Sequence, residues 1–428
     1  MQLFSALKYK NYRIFIIGQA LSNIGNMMHF VAVSWLAYKL TDSVLILSLI
    51  TIGKQISGFF VGFFSGVIAD RFDRRIFLQY AHFLLGCLSF ILFFLVWYDL
   101  ITIQLLLIIQ LLAGALKGLE IPSRQSFVND MITNKDHLPN AVALNSTVFN
   151  MTRLIGPTAA GIFIPLVGEA ICLSVYGVMS WIIVVFFFSI QVPKQKKIDK
   201  KLNFKLEFLE GFNYAFSTPT IKISLIFVTF FAFFGTSFMV LLPVIVGEVY
   251  DSGAEIFGYM NSAQGLGAIA GGIYLANKKD TTNLHKGILW TTVVFCIGLG
   301  VISFSNLITI AFIGIILTGL GRVVVFASTN TLLQLISNDT KRGRVLSLYI
   351  TVFMGSMMMG GLTMGALADY IGVLNTLAVQ AFFCLVTVVF YTKNFKHFNS
   401  IELNNNSYDL EITNSLSKPS SKIRRDSI

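Results

Sequence analysis

The sequence predicts an all-α membrane protein, with twelve transmembrane helices arranged as two pseudo-symmetric six-helix bundles. Three observations carry that prediction. Apolar side chains make up 55% of the 428 residues and charged ones 12%, about half the charged share of a soluble domain. The apolar residues gather into runs of the length that crosses a hydrocarbon core, roughly 17–25 residues. Lys and Arg fall almost wholly in alternate connections between those runs, the pattern of a chain with a cytoplasmic and an external side.

The first six runs lie near 14–38, 46–69, 76–97, 101–121, 140–165 and 170–190. The second six lie near 221–247, 256–276, 287–304, 307–333, 345–368 and 373–391. The first is too long for a cleavable signal peptide, holds Asn23, Asn26 and His29, and precedes no A-x-A site. Basic residues accumulate before run one (Lys8, Lys10, Arg13), after run two (Arg71, Arg74, Arg75), after run four (Arg124, Lys135), and in the central stretch from Lys194. They return after runs eight (Lys278, Lys279, Lys286), ten (Lys341, Arg342, Arg344) and twelve (Lys393, Lys396), whereas the opposite connections hold Lys39 alone. Both termini are therefore expected in the cytoplasm, and the net charge of +11 is a topology signal rather than a nucleic-acid surface.

Residues 1–190 form the expected N-terminal bundle, 191–217 a cytoplasmic linker, 218–394 the C-terminal bundle and 395–428 a disordered tail. In the linker Phe204, Phe208, Phe212 and Phe216 recur every fourth residue, the period of a helix lying in the membrane interface. The tail is rich in Asn and Ser and has no apolar period. Four scattered cysteines without a CxxC pair exclude a disulfide scaffold.

The halves echo each other. Gly66-Val-Ile-Ala-Asp70-Arg71-Phe-Asp73-Arg74-Arg75 follows run two, and Gly272-Ile-Tyr-Leu-Ala-Asn277-Lys278-Lys279 follows run eight as a looser copy. Such duplication is the plan of many secondary transporters, which hold their ligand near the midplane between the halves. The stretch Gly66–Arg75 resembles the loop motif of the major facilitator superfamily, G-x-x-x-D-R-x-G-R-R, with Asp73 in place of a glycine. Gly156-Pro157-Thr-Ala-Ala160-Gly161 resembles that superfamily's span-five antiporter motif, with Ala160 in place of a glycine. Trp35–Ser43, Pro122–Phe127, Leu138–Asn145 with Arg153–Pro157, and Arg342-Gly-Arg344-Val are similar to the drug:proton antiporter branch that holds enterobactin exporters and macrolide efflux pumps. The resemblance implies the superfamily fold, residence in a bacterial inner membrane, action as a monomer, no cofactor and no metal. It also implies that Gly66, Asp70, Arg71, Arg74 and Arg75 act as a gating latch and that Gly156, Pro157 and Gly161 belong to an exporter.

Ionisable groups inside the runs are costly unless they face protein or water, so they mark function. Lys54, Lys117, Arg153 and Arg322 stand against one well-embedded acid, Glu120. Lys117 and Glu120 are three apart on one helix and within reach of each other. A pairing that breaks during the cycle makes Glu120 a proton carrier, and one that persists makes it structural. His29 is a second candidate for proton coupling. The positive excess predicts a cavity that attracts anions, with Lys54, Lys117, Arg153, Arg322 and Trp35 as candidate lining. Gly58, Gly62 and Gly66 share one face of run two, and Gly361 with Gly365 offers a matching face on run eleven.

No HExxH, GxSxG, Walker A or clustered His/Cys set is present, and no sizeable soluble segment, so an enzyme is not expected. The expected activity is proton-coupled export of a small organic anion such as a siderophore. A broad drug efflux pump and a siderophore importer are the alternatives. The expected partners are a small-molecule substrate, protons and the lipid bilayer.

Overall fold

The computed structural model describes residues 5–69, 73–190, 204–277, 284–338 and 341–394. Every element among them is helical. The first half comprises α1 (Lys10–Leu40), α2 (Val44–Ala69), α3 (Arg74–Trp97), α4 (Ile103–Met131), α5 (138–167) and α6 (169–189). A short helix, α7 (Phe204–Ser217), follows. The second half comprises α8 (Pro219–Val249), α9 (Ala254–Asn277), α10 (Leu284–Phe304), α11 (Ile308–Ile336), α12 (Arg342–Ile371) and α13 (Val373–Lys393). With an even number of crossings, Ser5 and Lys393 share one end of the molecule, here the terminal end. The other is the far end.

Ten stretches are long and apolar enough to cross a membrane, and one of these, Leu138–Ser189, crosses twice. It breaks at Gly168, whose φ of 83° suits a residue without a Cβ. The α12–α13 junction breaks at Gly372 with the same φ. The twelfth crossing, α9, is less apolar because Asn261, Ser262 and Gln264 interrupt it, and all three are buried against neighbouring helices.

Three elements depart from expectation. The fourth run was expected to end near 121, but α4 continues through Pro122 to Met131, which brings Arg124 into the helix. The seventh was expected to be an ordinary helix. Instead α8 passes from α-helix into a π turn at Phe231–Gly235, a 3-10 turn at Thr236–Val240 and a second π turn at Ile245–Val249. Pro243 removes a backbone donor there, and the hydroxyls of Thr236 and Ser237 donate to the carbonyls of Ala232 and Phe233 at 2.8 Å, which loosens the regular ladder. Gly58 and Gly62 of α2 face α4 rather than α12: a Cβ on Gly118 would lie 2.3 Å from the Gly58 carbonyl oxygen. Gly361 and Gly365 do meet α2, but at Ile52 and Ser48, nearer the far end. Of the linker, residues 191–203 lie outside the description, and so does the expected tail from 395. In α7 Phe212 and Phe216 are exposed and stacked 4.3 Å apart.

The halves meet through α5 on α9 and α2 on α12. Gly258 and Gly161 bring two backbones together, since a Cβ on Gly258 would come within 2.6 Å of the Gly161 Cα. Beside them the Thr158 hydroxyl donates to Ser262 Oγ at 2.8 Å. These contacts belong to the far-end part of each helix. Followed toward the terminal end, the same faces open: Met151 on α5 is 55% exposed, and Met354 and Ile350 on α12 are also exposed, whereas Met358, one turn nearer the far end, is buried. The halves therefore close against each other at the far end and part at the terminal end.

Candidate functional site

The densest polar cluster lies inside the first half. Glu120 is fully buried on α4. Lys117, one turn before it, donates to its Oε2 at 3.2 Å, and Arg124, one turn after it, brings Nε to 2.9 Å from Oε1. The i+3 and i+4 spacings put all three side chains on one helix face. From α3, His82 Nε2 approaches the same carboxylate to 3.7 Å and is equally buried. A single acid is thus surrounded by two cations and an imidazole. Arg124 was missed by sequence reasoning because Pro122 made a loop look natural there. The signal that could have found it is its i+4 spacing from the one embedded acid.

A second cluster adjoins it. Lys54 on α2 donates to Asn26 Oδ1 on α1 at 2.8 Å and stands 5.4 Å over the ring of Tyr176. His29, buried, packs its ring 5.2 Å from Tyr176 and has Nε2 3.3 Å from the Gln110 amide nitrogen. Among the described residues the hydrogen-bond and ring partners of the Lys54 ammonium are neutral, and the adjoining Lys117–Glu120 pair acts on it through space.

Arg153 on α5 and Arg322 on α11 come from opposite halves, each near the middle of its helix and each half-buried. They are close enough to interact electrostatically, and neither makes a hydrogen bond or an ion pair among the described residues. Arg153 stands 5.7 Å over the Phe149 ring. Lys54, Lys117, Arg153 and Arg322 all lie near the mid-length of their helices, where the two halves begin to part. Trp35 is placed elsewhere. It is 6% exposed, stacked on Phe257 of α9 at 6.0 Å, within the far-end contact between the halves rather than along the opening.

In the loop motif, Asp70 and Arg71 lie outside the described residues, and Gly66 lies within α2. Arg74 binds Asp130 at the end of α4 at 3.2 Å, and Arg75 donates to the Ile190 carbonyl at 2.8 Å, so both tie the first half to itself at the terminal end. Asp73, which departs from the motif's glycine, caps α3 by accepting from the backbone N–H groups of Arg75 and Ile76. In the antiporter motif, Gly156 faces α1, where a Cβ would lie 2.4 Å from the Met27 Cβ. Gly161 faces α9, as does the Pro157 carbonyl, which would lie 2.7 Å from a Cβ on Gly258. No group of three or more His, Cys, Asp or Glu able to hold a metal occurs among the described residues.

Comparison with known proteins fits this arrangement. Residues 1–420 match the transmembrane secretion effector family. The chain is 25% identical over 390 residues to a staphyloferrin A transporter of Staphylococcus aureus (strain NCTC 8325 / PS 47), covering 87% of this chain and 94% of that one. Among solved structures it resembles a bacterial homologue of the human lysosomal transporter Spinster, in an inward-facing and unoccupied conformation. That likeness has a TM-score of 0.69 and 13% identity, and covers 91% of this chain and 98% of the other. It also resembles the nucleoside transporter NupG, with a TM-score of 0.67 and 13% identity, covering 91% of this chain and 99% of that one. The chain belongs to the transmembrane secretion effector family, a group of major facilitator superfamily transporters and not of enzymes, and it has the superfamily fold.

Proposed function

We propose that this family member exports a small organic anion of the siderophore type across a bacterial inner membrane, by alternating opening of its two halves and in exchange for protons. The observation that carries the reading is the charge at mid-depth. Lys54, Arg153 and Arg322 have no carboxylate partner among the described residues, and the one deep acid is already engaged by Lys117 and Arg124. Low-dielectric walls focus such a field, which draws anions in and turns cations away. Guanidinium forks favour carboxylates in particular, and Arg keeps its charge throughout a cycle.

Sidedness follows from charge as well. The terminal end carries the basic connections and is therefore read as cytoplasmic. The parted faces at that end make this an inward-open form, ready to load from the cytoplasm. The name of the staphyloferrin A transporter supports a siderophore as cargo. Glu120 and His29 are the proposed proton carriers. Only His82 joins α3 to Glu120, while Lys117 and Arg124 lie on α4 itself. Movement of α3 against α4 on opening outward therefore breaks the imidazole contact, and the carboxylate takes a proton when the two cation side chains swing off it. Re-forming the pairs on the inward side returns that proton to the cytoplasm.

The test is transport in proteoliposomes with a polycarboxylate siderophore and its uncharged ester. Arg153→Ala and Arg322→Ala should weaken binding of the acid by about tenfold or more, some 1.4 kcal/mol, and leave the ester unchanged. An equal loss for both compounds would make the arginines structural. Glu120→Gln, measured per folded protein, should abolish cargo-driven proton movement. Unaltered coupling would remove Glu120 from the proton path.

A further inference from the structure

The far-end seal has a feature that the loop motif and the charged cavity do not account for. Asp369, in the last turn of α12, accepts from the backbone N–H of Val44 at 2.6 Å, from the N–H of Leu45 at 3.2 Å and from the Ser43 hydroxyl at 2.8 Å. Those three donors form the N-terminus of α2, in the other half of the molecule. A helix N-terminus leaves its first N–H groups without internal partners and carries a partial positive charge. A local side chain ordinarily satisfies it, and here Ser43 reaches the Ile46 N–H only at 3.4 Å while donating its own proton to Asp369. The carboxylate therefore serves as a cap supplied in trans.

Its neighbours fix the meaning. One turn inward from Asp369, Gly365 lets α12 approach so closely that a Cβ there would lie 2.0 Å from Ser48 Oγ. A further turn inward Gly361 meets Ile52, and beyond Met358 the two helices separate. Asp369 thus sits at the apex of the wedge formed by α2 and α12. No motion that opens the far end can leave these three bonds intact, because they are made across the line along which the halves must part.

We propose that Asp369 is the latch of the far-end gate, holding the halves together by capping α2 across the interface, and that its release is the step that opens the far side. The inference rests on the alternating opening described above but not on the identity of the cargo. It assigns to one exposed carboxylate the energetic bias toward the terminal-end-open form, since charge-assisted hydrogen bonds are the strong ones and all three are lost together.

The experiment uses two single-cysteine reporters in the full-length protein. Ser48→Cys, buried in the seal, reports far-end opening, and Met354→Cys, exposed in the opening, reports terminal-end access. Each is labelled with a membrane-impermeant maleimide applied from either side of the vesicle. The background from Cys87, Cys172, Cys296 and Cys384 is measured in the parent chain. Asp369→Ala should raise the labelling rate of Ser48→Cys about tenfold or more and lower that of Met354→Cys. Asp369→Asn, which keeps one accepting oxygen without the charge, should give a smaller shift of the same sign. Unchanged rates in Asp369→Ala would overturn the latch. So would a rise at Ser48→Cys with no fall at Met354→Cys, which is local unfolding of the seal rather than a change of state. No cargo is needed, so failure here is separate from failure of the anion reading.

Discussion

The two halves share a scaffold and differ in what they bury. At corresponding places each half makes the same local structure. A hydroxyl ahead of the first crossing accepts from a loop N–H after the fourth: Tyr9 from Asn134 at 3.3 Å, and Tyr214 from Asn338 at 3.2 Å. Each half separates its last two crossings at a glycine with a φ of 83°. Each packs its second crossing on its fourth by bare backbone contact, Gly58 on Gly118 in one and Gly267 on the Ile316 carbonyl in the other. The interiors diverge. Both halves bury aromatic side chains, but the first also buries Glu120, His82 and His29 with Lys117, Arg124 and Lys54 around them. The second buries the imidazole of His285 and, among the described residues, no carboxylate, and Arg322 is its charged residue at mid-depth. The duplicated parts are those that fold and pack. Among the described residues the unduplicated parts carry the charge: the buried carboxylate and its cations lie in the first half, and the second contributes Arg322 at mid-depth.

The sharpest way to break that contrast is to remove the acid. Glu120→Leu should destabilise the protein by about 3–5 kcal/mol, the cost of leaving buried cations without their partner. Replacing Lys117 and Arg124 by Met and Leu as well should restore much of the loss. A fluorescence thermal-shift series reads both. In the second half Gln380 is fully buried and donates to Ser237 Oγ at 3.0 Å, and Gln380→Leu should cost only about 1–2 kcal/mol. Equal losses for Glu120→Leu and Gln380→Leu would erase the claimed asymmetry.

Packing should behave alike in both halves. A Cβ at Gly118 meets the Gly58 carbonyl oxygen at 2.3 Å, and one at Gly267 meets the Ile316 carbonyl oxygen at 2.0 Å. Backbone cannot yield cheaply, so Gly118→Ala and Gly267→Ala should each cost about 1–3 kcal/mol. A cost confined to one half would mean that the repeated helix pairs are not equivalent in tightness.

These results also show what was legible in the sequence. Twelve crossings, the duplication and the embedded charges could be read from apolar run length and the cost of buried ions, because a membrane punishes exceptions to both. The Lys117–Glu120 pair was visible as an i+3 spacing. Arg124 was hidden by Pro122, since the carbonyls freed by a proline inside a membrane helix are re-satisfied by neighbours that a sequence does not show. Asp369 was hidden for another reason. Its partners, two backbone N–H groups and a hydroxyl, lie more than three hundred residues away, and a cap in trans has no local spacing by which to announce itself. The irregular α8 was only partly readable: Pro243 and the hydroxyls of Thr236 and Ser237 stand in the sequence, but the π turn at Phe231–Gly235 also packs on Gly360 of α12, where a Cβ would lie 2.0 Å from the Phe233 carbonyl oxygen.

The smallest expected effect tests the repeat itself. Tyr9→Phe and Tyr214→Phe each delete a hydroxyl that accepts from a loop N–H, an exchange worth about 0.5–1.5 kcal/mol. The two sites are not identical. The Tyr9 hydroxyl also lies 3.0 Å from His137 Nδ1, whereas the Tyr214 ring instead carries Lys341 Nζ at 5.0 Å, a contact that phenylalanine retains. Tyr9→Phe therefore strands a second partner and should be the costlier of the pair. The gap should narrow in Tyr9→Phe combined with His137→Leu, where neither polar group remains. Thermal unfolding of the four proteins measures it, and a Tyr214→Phe loss equal to or above that of Tyr9→Phe would show that the histidine contributes nothing to the loop that closes the first half.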